Sequence, residues 1–484
     1  MIYILALLPI LALMVFSLTK GVKTAVMIAL TISLALFFYW GAGFSHLVAV
    51  LGVSLLTTTN ILMIVLGATF LYNIMARTGQ IHKISHSLDD LHASRDIRFF
   101  LLAFGLTAFF EGVAGFGTPG AIVPLILIAM GFEAILSVSV VLLLDSLFSM
   151  FGAVGTPIVT GLQIPLRLAH IDIQKISLLA AILILLGGLV FLFFIFRLIR
   201  KQRSPLENKR KMMVLYLFFA VPYVVFAWFS PELATVLGAL VMLLLSVVYL
   251  RGKSGKVDLR PWLPYAVLAS LLLLPKLIPD LKQWLAWELT LTNMLDTGIS
   301  GELRPLQSPL LPFLLVGLGV AWLQKSKSLH LKISLQKVAN VSVILLPTIV
   351  IANLMIHSGV GQLSMVGYIA NMMNKIGRSY TLLAPFVGLI GTFITGSTTI
   401  SNLVFAPTQY ETANYLELNR HIILSLQLSG ASTGNAICLF NIIAAAAIAD
   451  IKDYSGVLKN NLLPTLLVGL LLGLLGMGIM VFVG

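Results

Sequence analysis

Runs of about twenty apolar residues follow one another along nearly the whole chain, and each is long enough to cross a bilayer as a helix. In lipid, every backbone N–H and C=O must find its partner within the protein, so such runs fold as helices. Only 10% of the 484 residues are charged and 59% are hydrophobic, where a soluble globular chain carries about 25% charged residues. The fold class expected is an all-α polytopic membrane protein. Twelve spans are read at about 2–18, 24–40, 47–75, 134–165, 176–199, 212–229, 232–250, 262–275, 306–324, 338–356, 419–449 and 461–483, with 262–275 the shortest. The first run lacks a basic n-region and an A-x-A site, so it is expected as a retained extra span rather than a cleaved signal. The longest polar stretch is about thirty residues, too short to bury a soluble core.

Two further apolar regions, 99–130 and 383–413, are too long for one straight span and too short for two. Each has a polar, glycine-rich centre. The first reads F-F-E-G-V-A-G-F-G-T-P-G over Phe109–Gly120, and the second T-G-S-T-T-I-S-N over Thr395–Asn402. Inside a membrane, such breaks are tolerated only where protein or water covers the backbone. Both regions are therefore expected as re-entrant hairpins of two half-helices, roughly 12 residues each. With the hairpins counted as non-crossing, five basic clusters fall on one face: Lys20/Lys23, Arg77–Arg98, Arg197–Lys211, Arg251–Arg260 and Lys325–Lys337. The positive-inside rule makes that face cytoplasmic. Linkers 41–46, 165–175, 230–231 and 276–305, both termini and the 357–380 loop then lie outside. The net charge of +13 is read as this loop bias, facing anionic lipid, and not as a nucleic-acid surface. The single cysteine, Cys438, allows no disulfide framework.

Shifting the chain by 284 positions lays one half on the other without gaps. Gly112 falls on Gly396, Thr118 on Asn402, Glu133 on Glu417, Asp145 on Ser429 and Gly152 on Ala436. One copy begins inside and the other outside, the inverted-topology plan of many secondary transporters. The domain plan is an extra span at 1–20, repeat one at 21–200, connecting spans at 201–304 and repeat two at 305–484. Each hairpin is followed by a broken helix. The first, 134–165, contains L-D-S-L-F-S-M-F-G-A-V-G-T-P, and the second, 419–449, contains S-G-A-S-T-G-N-A-I-C-L-F-N.

Half-helix ends and unwound carbonyls at mid-membrane suit a small anion and its coupling ion. The candidate substrate-binding residues are Gly115, Gly117 and Thr118 in the first tip, and Gly396, Ser397, Thr398, Thr399, Ser401 and Asn402 in the second. Ser429, Ser432, Thr433 and Asn435 join them from the second broken helix. Small polar residues also serve ordinary helix packing, the reading given to Gly469 and Gly473. Two acids lie deep, Glu111 and Asp145. A charged carboxylate at the bilayer centre costs a few kcal/mol or more, so both are candidate proton carriers; for Glu111, a structural cap on a half-helix is the competing role. His82, His86 and His92 share a basic loop and are read as lipid-facing surface rather than a zinc site. No Walker loop, zinc-hydrolase motif or nucleophile elbow is present, so no enzyme is expected. No cofactor is expected beyond a co-transported proton, with sodium as the alternative.

The first tip, the F-G-A-V-G-T-P-I stretch after an acid, and T-G-S-T-T-I-S-N-L-V-F resemble the three signature regions of the L-lactate permease family. The resemblance runs in order over most of the chain. It implies a proton-coupled carrier of lactate and related 2-hydroxymonocarboxylates in the bacterial inner membrane. The chain departs from the family pattern in having Thr398 where an acid is usual, no lysine near Asn435, and Asp rather than Asn at 145. Loss of an acid and a lysine together leaves the site charge nearly balanced, which fits altered specificity. The expected partners are a small carboxylate and the lipid bilayer, not nucleic acid, with a homodimer left open. A sodium-coupled anion carrier and an anion channel are the alternatives.

Overall fold

A computed structural model of the chain describes residues 2–81, 83–84, 94–115, 117–201, 208–250, 260–306, 308, 310–326, 328–329, 331–451 and 455–483. Phe116 of the first tip, the three loop histidines and linkers 202–207 and 251–259 lie outside the described residues. Among those described, eight helices are long and apolar enough to cross a membrane: Phe44–Arg77, Ala134–Gln163, His170–Arg200, Lys209–Phe229, Pro231–Leu250, Leu331–Ile356, Arg420–Ala446 and Ser455–Phe482. The protein is thus an all-α, multi-pass membrane protein. Shorter helices occupy the other expected spans, at Ile2–Lys20, Val22–Tyr39, Leu263–Leu277 and Leu310–Leu323.

The two glycine-centred regions fold as helical hairpins. The first arm of one runs through Arg95–Phe100, a π-helical stretch Leu101–Leu106 and Thr107–Val113; its second arm is Thr118–Ala129. Its ends meet. The Arg95 guanidinium donates to the carbonyls of Met130 and Gly131, both at 3.0 Å, and lies 4.5 Å over the Phe132 ring. The other hairpin pairs Tyr380–Thr395 with Thr398–Tyr415. The Tyr380 hydroxyl donates to Gln409 Oε1 at 2.6 Å, and the Ser401 hydroxyl to the Gly388 carbonyl at 2.8 Å. In both, the arms return towards the end of the molecule from which they started.

Side-chain bonds fix how the long helices lie. His170–Lys201 runs parallel to Arg420–Gly434: Asp172 meets His421 at 2.7 Å, and Ser425 and Ser429 donate to the carbonyls of Ile176 and Ala180 at 3.0 and 3.4 Å. Ser455–Val483 runs parallel to Ala134–Phe148, with Asn460 donating to Ser139 at 3.1 Å and Gly456 packed on Ile135. Phe44–Arg77 and Leu331–Ile356 pair antiparallel, through Asn353 to Ser54 at 3.0 Å and Asn73 to Ser334 at 2.9 Å. The last helix packs on the second hairpin: a Cβ at Gly473 would stand 2.6 Å from the Leu382 carbonyl, and Gly469 abuts Phe386. This is the packing role expected of that glycine pair.

The connecting helices wrap the first hairpin. Phe104 stands edge-on to Phe219 at 5.2 Å, and Phe109 edge-on to Tyr265 at 4.5 Å. Each such pair adds about 0.5–1.5 kcal/mol beyond its buried area.

Two stretches differ from expectation. The 276–305 linker holds a helix, Pro279–Trp284, and a small antiparallel sheet of Leu289–Leu291 with Gly301–Leu303. The sheet is held to helix Phe44–Arg77 by Asn60, whose amide donates to the Glu302 carbonyl at 2.9 Å and accepts from Arg304 N at 3.2 Å, as a neighbouring strand would. The 357–380 loop contains a helix, Met365–Met373. Trp40 and Gln362 bracket its start, with Trp40 Nε1 donating to the Leu363 carbonyl at 3.2 Å and Gln362 Nε2 to the Trp40 carbonyl at 3.0 Å.

Candidate functional site

The site forms where both broken helices and both hairpin tips converge. In the first broken helix, Ala134–Phe148 gives way to a 3-10 turn, Ser149–Phe151. Ala153, Val154 and Gly155 then take left-handed backbone, with φ of 44°, 54° and 71°. A non-glycine residue in that region costs of order 1–3 kcal/mol, and Val154 is β-branched besides. The strain persists because neighbours hold both sides. A Cβ on Gly155 would come within 2.3 Å of the Glu232 Cα, so only glycine allows the Pro231–Leu233 turn to sit against the break.

The carbonyls around the break find hydroxyl donors. Tyr223 donates to Leu147 O at 3.0 Å, Thr235 to Phe148 O at 3.1 Å, Ser432 to Ser146 O at 2.7 Å and Thr156 to Ala153 O at 2.6 Å. Irregular backbone at membrane depth is thereby covered by protein. The second broken helix, Arg420–Gly434, ends in a 3-10 turn at Asn435–Ile437 and resumes at Leu439–Ile448.

Each tip rests on the break that follows it. Gly115, at φ 55°, would place a Cβ 2.8 Å from that of Ala153; Gly396, at φ 74°, lies against Phe440 and the Cys438 Sγ. The second hairpin also reaches across to the first broken helix. Thr398 Oγ1 lies 3.2 Å from Ser149 Oγ, which lies 2.9 Å from Ser432 Oγ. Asn402 Nδ2 donates to the Pro157 carbonyl at 3.1 Å.

The two acids meet here. Glu111 and Asp145 are buried, and their carboxyls interact directly. The Glu111 carboxyl lies on the bare backbone of Gly152, with Oε1 only 2.1 Å from where a Cβ would stand. Asp145 Oδ2 accepts from the Asn435 amide, and Asn435 Oδ1 in turn accepts from Asn441. Asp145 Oδ1 is buried without a hydrogen bond among the described residues. Leaving a buried oxygen unbonded costs about 1–3 kcal/mol, more for a charge.

Of the residues singled out in the sequence, Glu111, Asp145, Thr398, Ser432 and Asn435 come together, with Gly115 bordering them at Ala153. Gly117 is left-handed, and a side chain there would meet nothing within 4 Å among the described residues. Thr118 opens the second arm, its N–H donating to the Gly115 carbonyl at 2.9 Å. Others have structural partners instead. Ser397 caps helix Thr398–Tyr415 by accepting from Ile400 N, Ser401 ties the two arms of its hairpin, Ser429 bonds helix His170–Lys201, and Thr433 bonds its own helix at Ser429 O. Thr399 is buried, and its carbonyl lies near Gly161.

Sequence reasoning missed Ser149, and it read Gly152 only as part of the helix break, not as the seat of the Glu111 carboxyl. Ser149 is four residues after Asp145, on the same helix face, which is a usable signal. It also missed a buried chain of amides behind the second tip. Gln409 Nε2 donates to Gln427 Oε1 at 3.1 Å, and Gln427 Nε2 to Asn402 Oδ1 at 3.2 Å. No three His, Cys, Asp or Glu side chains gather in a metal-binding group among the described residues. A surface cavity of about 350 Å³ opens elsewhere, at the turn carrying Glu417, Arg420 and His421.

These signature stretches, in this order along the chain, are matched over residues 3–261 and 311–483 by the L-lactate permease family. The chain belongs to that family. A curated relative from Haemophilus influenzae is 25% identical over 455 residues, covering 85% of each chain. The L-lactate permease of Streptococcus iniae is 26% identical over 383 residues, 74% of this chain and 79% of that one. The L-lactate permease of Escherichia coli K12 is 24% identical over 503 residues, 92% and 89% of the two chains. The family is one of permeases, not enzymes, and its members act in a membrane. The unmatched segment, 262–310, holds the helix Leu263–Leu277 and the small sheet that sequence reading left as a short span and a linker.

Proposed function

We propose that this permease is a secondary active transporter carrying lactate or a related 2-hydroxymonocarboxylate together with protons across the bacterial plasma membrane. The observation that carries the reading is the Glu111–Asp145 pair, buried where two hairpin tips and two helix breaks meet. A proton shared between two adjacent buried carboxyls relieves their repulsion and lowers the cost of burying charge. Asn435 and Ser149 belong to opposite halves of the chain and border the same acids and hydroxyls, so movement of one half against the other changes the surroundings of the proton.

In this reading the two hairpins are re-entrant, twelve helices cross, and the halves form an inverted repeat. Three contact patterns support it. The ends of the first hairpin meet at Arg95, the arms of the second meet at Tyr380, and the parallel pairing of His170–Lys201 with Arg420–Gly434 recurs between Ala134–Phe148 and Ser455–Val483. The substrate carboxylate is held by Thr398, Ser432 and the backbone of the tips, with hydroxyl and N–H donors rather than a fixed cation. The names of the relatives support lactate as substrate.

The test is uptake of radiolabelled L-lactate by vesicles containing the purified protein under an imposed inward proton gradient. Accumulation above the external concentration, abolished by collapsing the gradient, is expected. Accumulation that follows a sodium gradient at fixed pH would transfer the coupling role to sodium.

A further inference from the structure

Four buried polar side chains behind the second tip form one continuous hydrogen-bonded chain. The Tyr380 hydroxyl donates to Gln409 Oε1 at 2.6 Å, and Gln409 Nε2 to Gln427 Oε1 at 3.1 Å. Gln427 Nε2 donates to Asn402 Oδ1 at 3.2 Å, and Asn402 Nδ2 to the Pro157 carbonyl at 3.1 Å. The direction is fixed by groups that can only accept. Gln409 Nε2 also donates to the Ala384 carbonyl at 2.8 Å, and the Pro157 carbonyl closes the far end. Turning over any one of the three amides would set oxygen against oxygen. A buried network whose amides are each bonded on both sides holds its members in one arrangement.

The chain ends at the break in the first broken helix. Thr398, Asn402 and Gln409 recur at i, i+4 and i+11, on one face of helix Thr398–Tyr415. Thr398 meets Ser149 at 3.2 Å, before the left-handed residues 153–155, and Asn402 bonds Pro157, after them. One helix thus lies across the break and is fastened on both sides of it. Beyond Pro157 the backbone is π-helical over Val159–Gln163, and a Cβ on Gly161 there would stand 2.9 Å from the Asn402 Cβ. Gln427 comes from a third element, helix Arg420–Gly434. Close approach at Gly388, where a Cβ would stand 2.3 Å from the Gln427 carbonyl, brings that helix against the hairpin.

We propose that Gln427 is a positioning residue: through Asn402 it pins helix Thr398–Tyr415 across the break and so sets Thr398 against Ser149. The proposal rests on the reading of Thr398 as a holder of the substrate carboxylate. The bond from Gln427 keeps Asn402 Oδ1 turned away from Pro157 and its Nδ2 turned towards it. Without that bond the Asn402 amide is free to turn, and the fastening beyond the break loosens. Thr398 lies one helical turn from Asn402, so it shifts with it. Gln409 and Tyr380 extend the same constraint to the start of the hairpin.

The test uses purified full-length protein in vesicles and the exchange of labelled for unlabelled L-lactate without a gradient. Gln427→Met keeps the length of the side chain and removes its polar atoms. It is expected to raise the exchange KM about fivefold, the equivalent of one typical neutral hydrogen bond, with the maximal rate per folded protein little changed. A merely structural role would lower the amount of folded protein and leave KM in place. In an Asn402→Ala background, Gln427→Met is expected to add nothing to KM, and effects that multiply would overturn the proposal. Gly161→Ala presses on Asn402 with the amide chain intact, and is expected to raise KM as well; it serves should either other variant fail to fold. An unchanged KM in folded Gln427→Met or Gly161→Ala overturns the proposal. A second measurement does not depend on transport. Thr398→Cys with Ser149→Cys, in a Cys438→Ala background, is oxidised to the disulfide by iodine, and adding Gln427→Met is expected to slow cross-linking several-fold. An unchanged rate also overturns the proposal. Wild-type protein that exchanges no lactate contradicts the transport reading, whereas the cross-linking rate judges the positioning by itself.

Discussion

Gly152→Ala separates the position of Glu111 from the fold around it. Gly152 has φ −67° and ψ 163°, backbone that alanine adopts freely. The three atoms nearest the added methyl all belong to the Glu111 side chain, with Oε1 at 2.1 Å and Cδ at 2.9 Å. Ordinary contact begins at 3.4 Å, so the carboxyl oxygen must retreat by the difference between 2.1 and 3.4 Å, about 1.3 Å. It is the far end of a flexible side chain, so the retreat is a rotation and the helices stay in place. A misplacement of about 1 Å at a reacting group can cost on the order of 100-fold in rate. Proton-driven lactate uptake is therefore expected to fall roughly 100-fold, equivalent to about 2.7 kcal/mol, while the melting temperature in detergent changes by a few degrees at most. Gly155→Ala, three residues on, is the contrast. Its Cβ would strike the Glu232 Cα, and its φ is 71°, so loss of folded protein is expected there. If Gly152→Ala transports at the wild-type rate while folded, Glu111 does not act from its seat on Gly152 and the reasoning fails.

Asn435→Ala removes the amide that donates to Asp145 and leaves a buried acid oxygen unbonded, so a loss of about 1–3 kcal/mol in unfolding free energy is expected by denaturant titration. In the Asp145→Asn background the same change should cost less, and equal costs would show that the two side chains act independently. Asp96, where the first hairpin begins, is partly desolvated, which raises its affinity for protons; bonds from Ser94, Asn208 and Ile97 N outweigh this and hold it below the usual carboxylate range. Its stabilisation is present above the unfolded-state value, about 3.9, and is lost as pH falls through the lower folded value. Asp96→Asn should therefore melt below wild type at neutral pH, with the difference closing only at strongly acid pH. A gap independent of pH would contradict this. Single cysteines in a Cys438→Ala background at Arg95 and at Gly131 should label with a membrane-impermeant thiol reagent from one side, and cysteines at the exposed Ser379 and Tyr415 from the other. Opposite-side labelling within either pair would mean that the hairpin crosses.

The all-α, multi-pass character and the helix breaks were legible because apolar length and glycine-rich interruptions are strong local signals. The interruption expected in 99–130 falls between Val113 and Thr118, and that in 383–413 between Thr395 and Thr398. Glu111 and Asp145 were legible because charge is rare in apolar runs. Which hydroxyls face the acids was not. Helix Arg420–Gly434 is buried from Ile422 to Gly434, so no polar face marks its orientation, and Ser429, Ser432 and Thr433 look equivalent in sequence. Only Ser432 turns towards Ser149, while Ser429 turns towards Ala180. Gly152 was read as part of the helix break, but its contact with Glu111 was not, because that role lies in an absent side chain under a carboxyl from another helix. The sheet at 289–303 depends on Asn60, more than two hundred residues away, so no local pattern announced it.

The central claim is that the buried acid pair carries the proton that moves with the substrate. Its most direct measurement is the external pH of lightly buffered, de-energised vesicles when L-lactate is added, compared between wild type and Glu111→Gln/Asp145→Asn. Both changes keep side-chain shape and leave the Asn435 amide an oxygen to bond. Wild-type vesicles should alkalinise the medium as lactate enters with protons. The double variant should show no alkalinisation while still exchanging labelled for unlabelled lactate. Alkalinisation of wild-type size in the double variant would contradict the account.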